Sequence, residues 1–325
     1  MSPADPATSD LYLTDLALTE EERAVRDTVR RFCDERVRPV INGYWERAEF
    51  PFELVPALAE LGVCGGTNRG HGMPGLSPLA AGLVSMELAR GDGYVLDGEK
   101  RWIGNAVFAD LMIVWARDGQ GDDGAYVVEK GTPGVEATLI TGKIAKRASW
   151  QADVVLRDVR VPAENKLAKA TSFEDAVRVL TAARPGIAWG ALGHAVAAYE
   201  AAVTYTLERE QFGAPLAGHQ ITQLRLAKML ADVTCMRLIC LRLAELAVLG
   251  KVTPAMASLA KMHNAARAQA VVAEARDLLG GNGILLENEV GRHLGDVEVV
   301  ATVEGTDVVH ALIVGREITG ISAFV

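Results

Sequence analysis

Apolar residues recur at helical spacing toward both ends of this chain and at alternating spacing in a stretch between, so two helical regions bracket a β-rich one. The first helix should begin at Leu18-Thr19-Glu20-Glu21-Glu22, where Thr19 and Glu22 have the spacing of a capping box. Val25, Val29 and Phe32 then share one face, with Arg30, Arg31, Asp34 and Glu35 on the others. Pro51 to Leu61 predicts a second, short helix stopped by Gly62, Gly65 and Gly66. Ser77-Pro78 supplies an N-cap and a first-turn proline for a third over Leu79–Arg90.

Around Gly91-Asp92-Gly93 the period changes. Tyr94 to Leu96, the pair Asp97-Gly98, then Glu99 to Ile103 predict a β-hairpin, because Asp-Gly tolerates the positive φ of a tight turn. Strand-like runs follow at Leu111–Ala116, Ala125–Glu129 and Asp153–Val161, giving a small antiparallel β unit. From Ser172 onward the pattern is helical again, near 172–210, 217–249, 254–279 and 304–318. Pro254 lies in a first turn and Gly280-Gly281-Asn282-Gly283 ends that helix. Long apolar helices joined by short loops favour a four-helix bundle. The fold class is α+β, mostly α, divided as 1–93, 94–165 and 166–325.

Composition narrows the function. Half of the 325 residues are apolar and the net charge is −9, with lysines and arginines scattered, which disfavours a nucleic-acid partner. No apolar run is long enough for a membrane span, and Met1 to Asp15 lacks a basic start and an apolar core, so a cytoplasmic location is expected. Cys33, Cys64, Cys235 and Cys240 lack metal-ligand spacing; no metal site is expected, and the thiols should be reduced and at least half buried. Gly70-His71-Gly72-Met73-Pro74-Gly75 fits the dinucleotide spacing GxGxxG. It is set aside because Leu54 to Val63 upstream reads as helix, whereas that fingerprint needs a strand feeding the turn.

Four segments together carry more chemistry: Lys100-Arg101-Trp102-Ile103-Gly104-Asn105, Glu208-Arg209-Glu210-Gln211-Phe212-Gly213, Asp277 to Gly283, and Val303-Glu304-Gly305-Thr306. Their order and separation resemble the acyl-CoA dehydrogenase family, from Leu18 to Phe324. Tyr44 to Phe52 and Lys100 to Asp110 look like the short-chain acyl-CoA oxidases of peroxisomes, and Gly186 to Gly193 is similar to glutaryl-CoA dehydrogenase.

The resemblance implies FAD as cofactor and a short-chain or dicarboxylic acyl-CoA as substrate, oxidised to its trans-2-enoyl-CoA. Electron-transfer flavoprotein or oxygen would be the acceptor, and the chain would form a homodimer or homotetramer. Glu304 matches the family's base; without the resemblance it is an acid favourably placed at a helix start. Arg209, Phe212 and Gln220 match contacts to the flavin nucleotide of a neighbouring subunit, the plain alternatives being a surface charge at Arg209 and a core aromatic at Phe212. Gly280 and Gly281 would let backbone approach the cofactor, or simply end a helix. Trp102 matches the aromatic beside the flavin ring, against a core tryptophan; Thr306 matches a hydroxyl near the flavin, against a helix cap. Arg184, before Pro185, matches an arginine near the substrate channel, against a salt-bridged arginine at a helix start.

The sequence also departs from the pattern. Between Asp92 and Tyr94 the family would place further helices, the first β-strands and flavin-binding Leu-Thr-Glu-Pro and Gly-Ser-Asp stretches, so an internal segment is expected to be missing and the N-terminal region truncated. Gly104 stands where Thr or Ser is common, opening space near the flavin. Val303 stands where an aromatic precedes the base, and slower turnover than in Val303→Tyr is expected. The competing expectation is a catalytically impaired or dead paralogue that keeps its bundle as an oligomerising scaffold.

Overall fold

The computed structural model describes residues 35–36, 38–47, 49, 52–54, 56, 68–70, 73–76, 93–117 and 122–324. The helices expected from Thr19 and over Leu79–Arg90 lie outside those residues, as do Cys33 and Cys64. Of the second expected helix, the described part includes a 3-10 turn at Phe52–Leu54. The described chain falls into two compact units, passing from one to the other between Val177 and Arg178.

In the first unit, helix α1 (Arg38–Arg47) ends with the Arg47 guanidinium 5.0 Å over the Tyr44 ring and 2.8 Å from Glu49. Strands β1 (Asn68–Gly70) and β2 (Met73–Leu76) pair antiparallel, with Gly70 opposite Met73. Met73, Pro74 and Gly75 of the glycine-rich spacing are therefore in a strand, where a dinucleotide fingerprint would lead into a helix.

Strand β3 (Gly93–Gly104) corrects the expected hairpin at Asp97-Gly98. It is one twelve-residue strand paired antiparallel with β7 (Gln151–Pro162), whose other neighbour is β6 (Val135–Leu139). Asp97-Gly98 marks a bulge. Leu96 pairs with Val159 but Gly98 with Leu156, so β7 carries the extra residue. Asp158 takes a φ of +50° there, and its N–H donates to Asp97 Oδ1 at 2.8 Å. The insertion shifts the inward phase of β7, from Ala152, Val154 and Leu156 to Val159 and Val161, keeping all five on the core. Gly134, before β6, is required by close approach: an added Cβ would lie 2.0 Å from the Arg157 carbonyl oxygen.

Strands β4 (Leu111–Arg117) and β5 (Asp123–Glu129) form a second antiparallel pair close to the expected runs. The free edge of β5 is covered by the segment after β7. Ala125 exchanges backbone hydrogen bonds with Leu167 and Ala170, and Asn165 donates to the Val127 carbonyl.

The second unit is helical. It contains most of α2 (Phe173–Glu208), then α3 (Gln220–Val248), α4 (Pro254–Leu278), α5 (Val290–Thr302) and α6 (Asp307–Thr319). Between α2 and α3 lies a small hairpin, β8 (Glu210–Gln211) with β9 (Ala214–Pro215). The four anticipated helices are present and α5 is an addition. Alanines at 188, 191, 195, 198 and 202 line the buried face of α2, letting its partners approach closely. Thr253 caps α4 by accepting from the Met256 N–H at 3.2 Å, with Pro254 in the first turn. Fully buried Asn264 links three helices, its amide within 3.1–3.3 Å of the Ala188 and Met236 carbonyls and Cys240 Sγ. Helix α5 meets α2 through His194 and His293, whose Nδ1 atoms are 2.7 Å apart.

Candidate active site

Helices α5 and α6 are joined by only four residues, and two of them reverse the chain with positive φ: Glu304 at +57° and Gly305 at +106°. A glutamate in the left-handed region is uncommon and carries conformational cost, so surrounding contacts must hold it. Three backbone carbonyls supply the grip. Lys261 Nζ on α4 donates to Ala301 O and Gly305 O, both at 2.8 Å. Arg184 Nε on α2 donates to Glu304 O at 3.3 Å, while its Nη1 lies 3.4 Å from Ser258 Oγ, one turn before Lys261. Lys261 thereby satisfies a carbonyl at the end of α5 that the helix itself cannot.

The cluster holds two cations, Arg184 and Lys261, beside two carboxylates, Glu304 and Asp307, with Lys261 Nζ 3.9 Å from Asp307 Oδ1. That distance suits an ion pair but not a hydrogen bond. Burial lowers the ordinary pKa of Arg184, which is 5% exposed, and the Glu304 charge opposes the shift. Burial also lowers that of fully buried Lys261, with Asp307 opposing most strongly. His310, likewise fully buried, is pushed down to about 4, first by burial and then by the charges of Lys261 and Arg184. Glu304 Oε2, Asp307 Oδ1 and both His310 ring nitrogens are buried without a hydrogen-bond partner. The Glu304 oxygen thus faces the charges of Arg184 and Lys261 without a hydrogen bond to either.

A second group of expected residues gathers at another end of this unit. The β8–β9 hairpin turns through Phe212 and Gly213 at φ +54° and +78°, as a two-residue turn requires, and leaves the Phe212 ring 95% exposed. Arg209 and Gln220, on either side of the hairpin, are exposed. Tyr205 near the end of α2 accepts from Asn282 Nδ2 at 2.9 Å, and Arg225 near the start of α3 pairs with Glu274 and Asp277 at 2.6 and 2.7 Å. These links bring the Gly280-Gly281 turn to the same end. Gly280 has φ +58°, and an added Cβ at either glycine would meet nothing within 4 Å.

The two groups are far apart. Some twenty residues of α2 separate Arg184 from Tyr205, roughly 30 Å at helical rise. One chain therefore brings Arg184, Glu304 and Thr306 together and keeps Arg209, Phe212, Gln220, Gly280 and Gly281 at a distance from them.

Several plain alternatives are corrected. Phe212 is not a core aromatic, and Trp102, in β3 at φ +65°, is 56% exposed with the Arg101 guanidinium 5.4 Å from its ring, not a core tryptophan. Arg184 lies inside α2, not at its start, and is buried. Thr306 occupies the N-cap position of α6 but makes no side-chain capping bond. Cys240 is buried as expected, whereas Cys235 is exposed.

Lys261, Ser258, Asp307 and His310 were not anticipated. The signal for Lys261 was legible: it lies four residues after Ala257 and four before Ala265, on the stripe α4 buries, where a lysine is rarely found.

A unit of long helices with an Arg–Lys–Glu cluster at an interhelical turn, and a separate small antiparallel β unit, make this an α+β protein that is mostly α. Comparison with known proteins fixes the family. Models of the acyl-CoA dehydrogenase N-terminal, middle and C-terminal domains match residues 19–111, 75–159 and 147–319. Crystal structures of glutaryl-CoA dehydrogenase from Mycobacterium smegmatis superpose with a TM-score of 0.90. One is 33% identical, covering 98% of this chain and 99% of that one, and another, 32% identical, is in complex with FADH2. A probable acyl-CoA dehydrogenase of Bacillus subtilis is 28% identical over 93% of this chain and 98% of its own length. The mitochondrial short-chain specific acyl-CoA dehydrogenase of Bos taurus is 34% identical over 74% of this chain and 60% of its own. The chain belongs to the acyl-CoA dehydrogenase family, whose members are FAD-dependent oxidoreductases that act on acyl-CoA thioesters. Among the described residues, no helix is long and apolar enough to cross a membrane.

Proposed function

We propose that this chain oxidises a short-chain or dicarboxylic acyl-CoA to the trans-2-enoyl-CoA, with Glu304 removing the α-proton. The observation that carries this is the Glu304 carboxylate oxygen, buried without a donor on a residue held at positive φ. FAD, when bound, supplies the hydride acceptor for the β-carbon. Glu304 holds the abstracted proton on its carboxylate, and Arg184 steadies its backbone. The relatives that act on glutaryl-CoA and short-chain substrates support the substrate class.

The residues present fit a flavin nucleotide. The open Cβ positions at Gly280 and Gly281, the exposed Arg209 fork and the bare Phe212 ring form a ready cradle. The roughly 30 Å between that cradle and Glu304 supports its serving the flavin of a second copy, and hence a homodimer or homotetramer. Gln220 joins the proposed nucleotide contacts, and Trp102 and Thr306 are each a candidate contact for the flavin ring. We retain the division into 1–93, 94–165 and 166–325 and a cytoplasmic location.

A stretch of the family architecture is absent after about residue 92 in this reading. The N-terminal and middle family models overlap over 75–111, and the Bacillus relative aligns over 374 positions against a chain of 325, which both support it. The same overlap favours the second reading, a scaffold that has lost activity.

The deciding experiment has three readouts: the visible spectrum of the purified protein, turnover of butyryl-CoA and glutaryl-CoA, and the same turnover in Glu304→Gln. Bound flavin and a loss of about a thousandfold or more in Glu304→Gln are expected, the upper range for a general base plus its proton acceptor role. No flavin, even on addition, leaves the scaffold reading; unchanged turnover in Glu304→Gln ends the base assignment. Peroxide release against dye reduction separates oxygen from electron-transfer flavoprotein as acceptor.

A further inference from the structure

We propose that Lys261 is a positioning residue for Glu304: its buried ammonium clamps the backbone on both sides of the base and fixes where the carboxylate points. The proposal rests on the reading of Glu304 as base. Lys261 is wholly shielded from solvent, so it is not placed to touch a substrate diffusing in, and a lysine is costly to bury unless its donors are used. Two of its three donors go to Ala301 O and Gly305 O, at 2.8 Å each. Those carbonyls lie three residues before and one after Glu304.

With Arg184 on the Glu304 carbonyl, three acceptors within five residues are held by cations from two other helices. The backbone between them has two consecutive positive φ angles, a conformation that relaxes unless its neighbours prevent it. Rotation there swings the Glu304 carboxylate through an arc. A displacement near 1 Å at a reacting group costs on the order of a hundredfold in rate. Groups facing the ammonium are Arg184, Glu304, Asp307 and His310. Ser258, one turn before Lys261 on α4, receives Arg184, so one face of α4 supports both cations.

The test compares Lys261→Met, which keeps the length of the stem and removes the donors, with Asn264→Ala, which weakens the same helix away from the Glu304 turn. Holoprotein is mixed with butyryl-CoA in deuterated water, and loss of the α-proton is followed by NMR below the unfolding temperature of every variant. Exchange in Lys261→Met should fall roughly ten- to hundredfold with KM changed less than about twofold, while Asn264→Ala stays near wild type. Amide hydrogen exchange of the peptide covering Ala301–His310, with and without flavin, should quicken in Lys261→Met alone. Lys261→Gln, which retains amide donors, should fall between, and carries the test if Lys261→Met does not fold. Wild-type α-proton exchange in Lys261→Met, or an equal loss in Asn264→Ala, overturns the proposal. Glu304→Gln runs alongside: if it exchanges like wild type the base assignment has failed, and if it is dead while Lys261→Met is normal only the clamp has failed.

Discussion

Gly305→Ala is the sharpest probe of the Glu304 turn. Gly305 sits at φ +106°, outside the small left-handed well that L-residues can use, so a side chain there strains the backbone by about 1–3 kcal/mol. The new Cβ would also lie 3.2 Å from His310 Cε1 and Nε2 and 3.5 Å from Val309 Cγ1. His310 is fully buried and has little room to retreat, so overpacking adds about 1 kcal/mol or more. The expected loss is about 2–4 kcal/mol, which lowers Tm by roughly 5–12 °C for a unit of this size. A double-mutant cycle divides it: in a His310→Ala background the contact is relieved and the strain remains, so the two changes should couple by about 1 kcal/mol in the relieving sense. Thermal unfolding of the four proteins measures this, and α-proton exchange should fall in Gly305→Ala because Glu304 is its neighbour. A Tm within 1 °C of wild type, or additive effects in the cycle, would refute the geometry from which both numbers are worked.

Other outcomes follow from buried groups elsewhere. Asn264→Ala removes the side-chain bonds to the Ala188 and Met236 carbonyls and opens a cavity among three helices, so it should cost about 2–4 kcal/mol in urea unfolding; a loss under 1 kcal/mol would contradict the network. His310 has a native pKa of about 4 against 6.5 when unfolded, so between these values the unfolded chain binds the extra proton. Stability should therefore decline by roughly 3 kcal/mol as pH falls from 6.5 to 4, and His310→Gln should flatten that slope in urea titrations across the range. The Cys240 thiol, raised to about 12 by burial, should resist alkylation at pH 8 while exposed Cys235 reacts, as peptide mass spectrometry would register.

Much of the fold could be read along the chain because it depends on local chemistry. Thr253-Pro254 and Gly280 start and stop α4 through their own φ preferences and capping groups, and α2 and α3 announce themselves by sustained apolar periodicity. Strands β4 and β5 stand out as short continuous apolar runs and β7 by its alternation, whereas β6 is five residues after a Gly-Thr-Pro-Gly stretch and carries Glu136 and Thr138 outward. Helix α5 buries positions 290, 293, 296, 297 and 300, but two of these are a histidine and an aspartate, and Gly291, Arg292, Gly295 and Glu298 blur the stripe. In the site, the residues that carry the family resemblance stood out as short motifs, while Lys261 and His310 belong to no motif.

What the sequence by itself determined, then, was the kind of element at most positions, the family, and Glu304 as the candidate base, since each rests on neighbours a few residues away. Tertiary structure decided the rest. Asp97-Gly98 suits a hairpin turn as well as a bulge, and only pairing with Asp158, sixty residues on, selects the bulge. Lys261 finds its carbonyls some forty residues away, at the end of α5 and in the turn that follows it. The separation of Phe212 from Glu304 depends on how far α2 runs as a rigid rod. Backbone preferences act within a turn or two of chain; hydrogen-bond partners, burial and distance across a unit are fixed only when remote segments pack together.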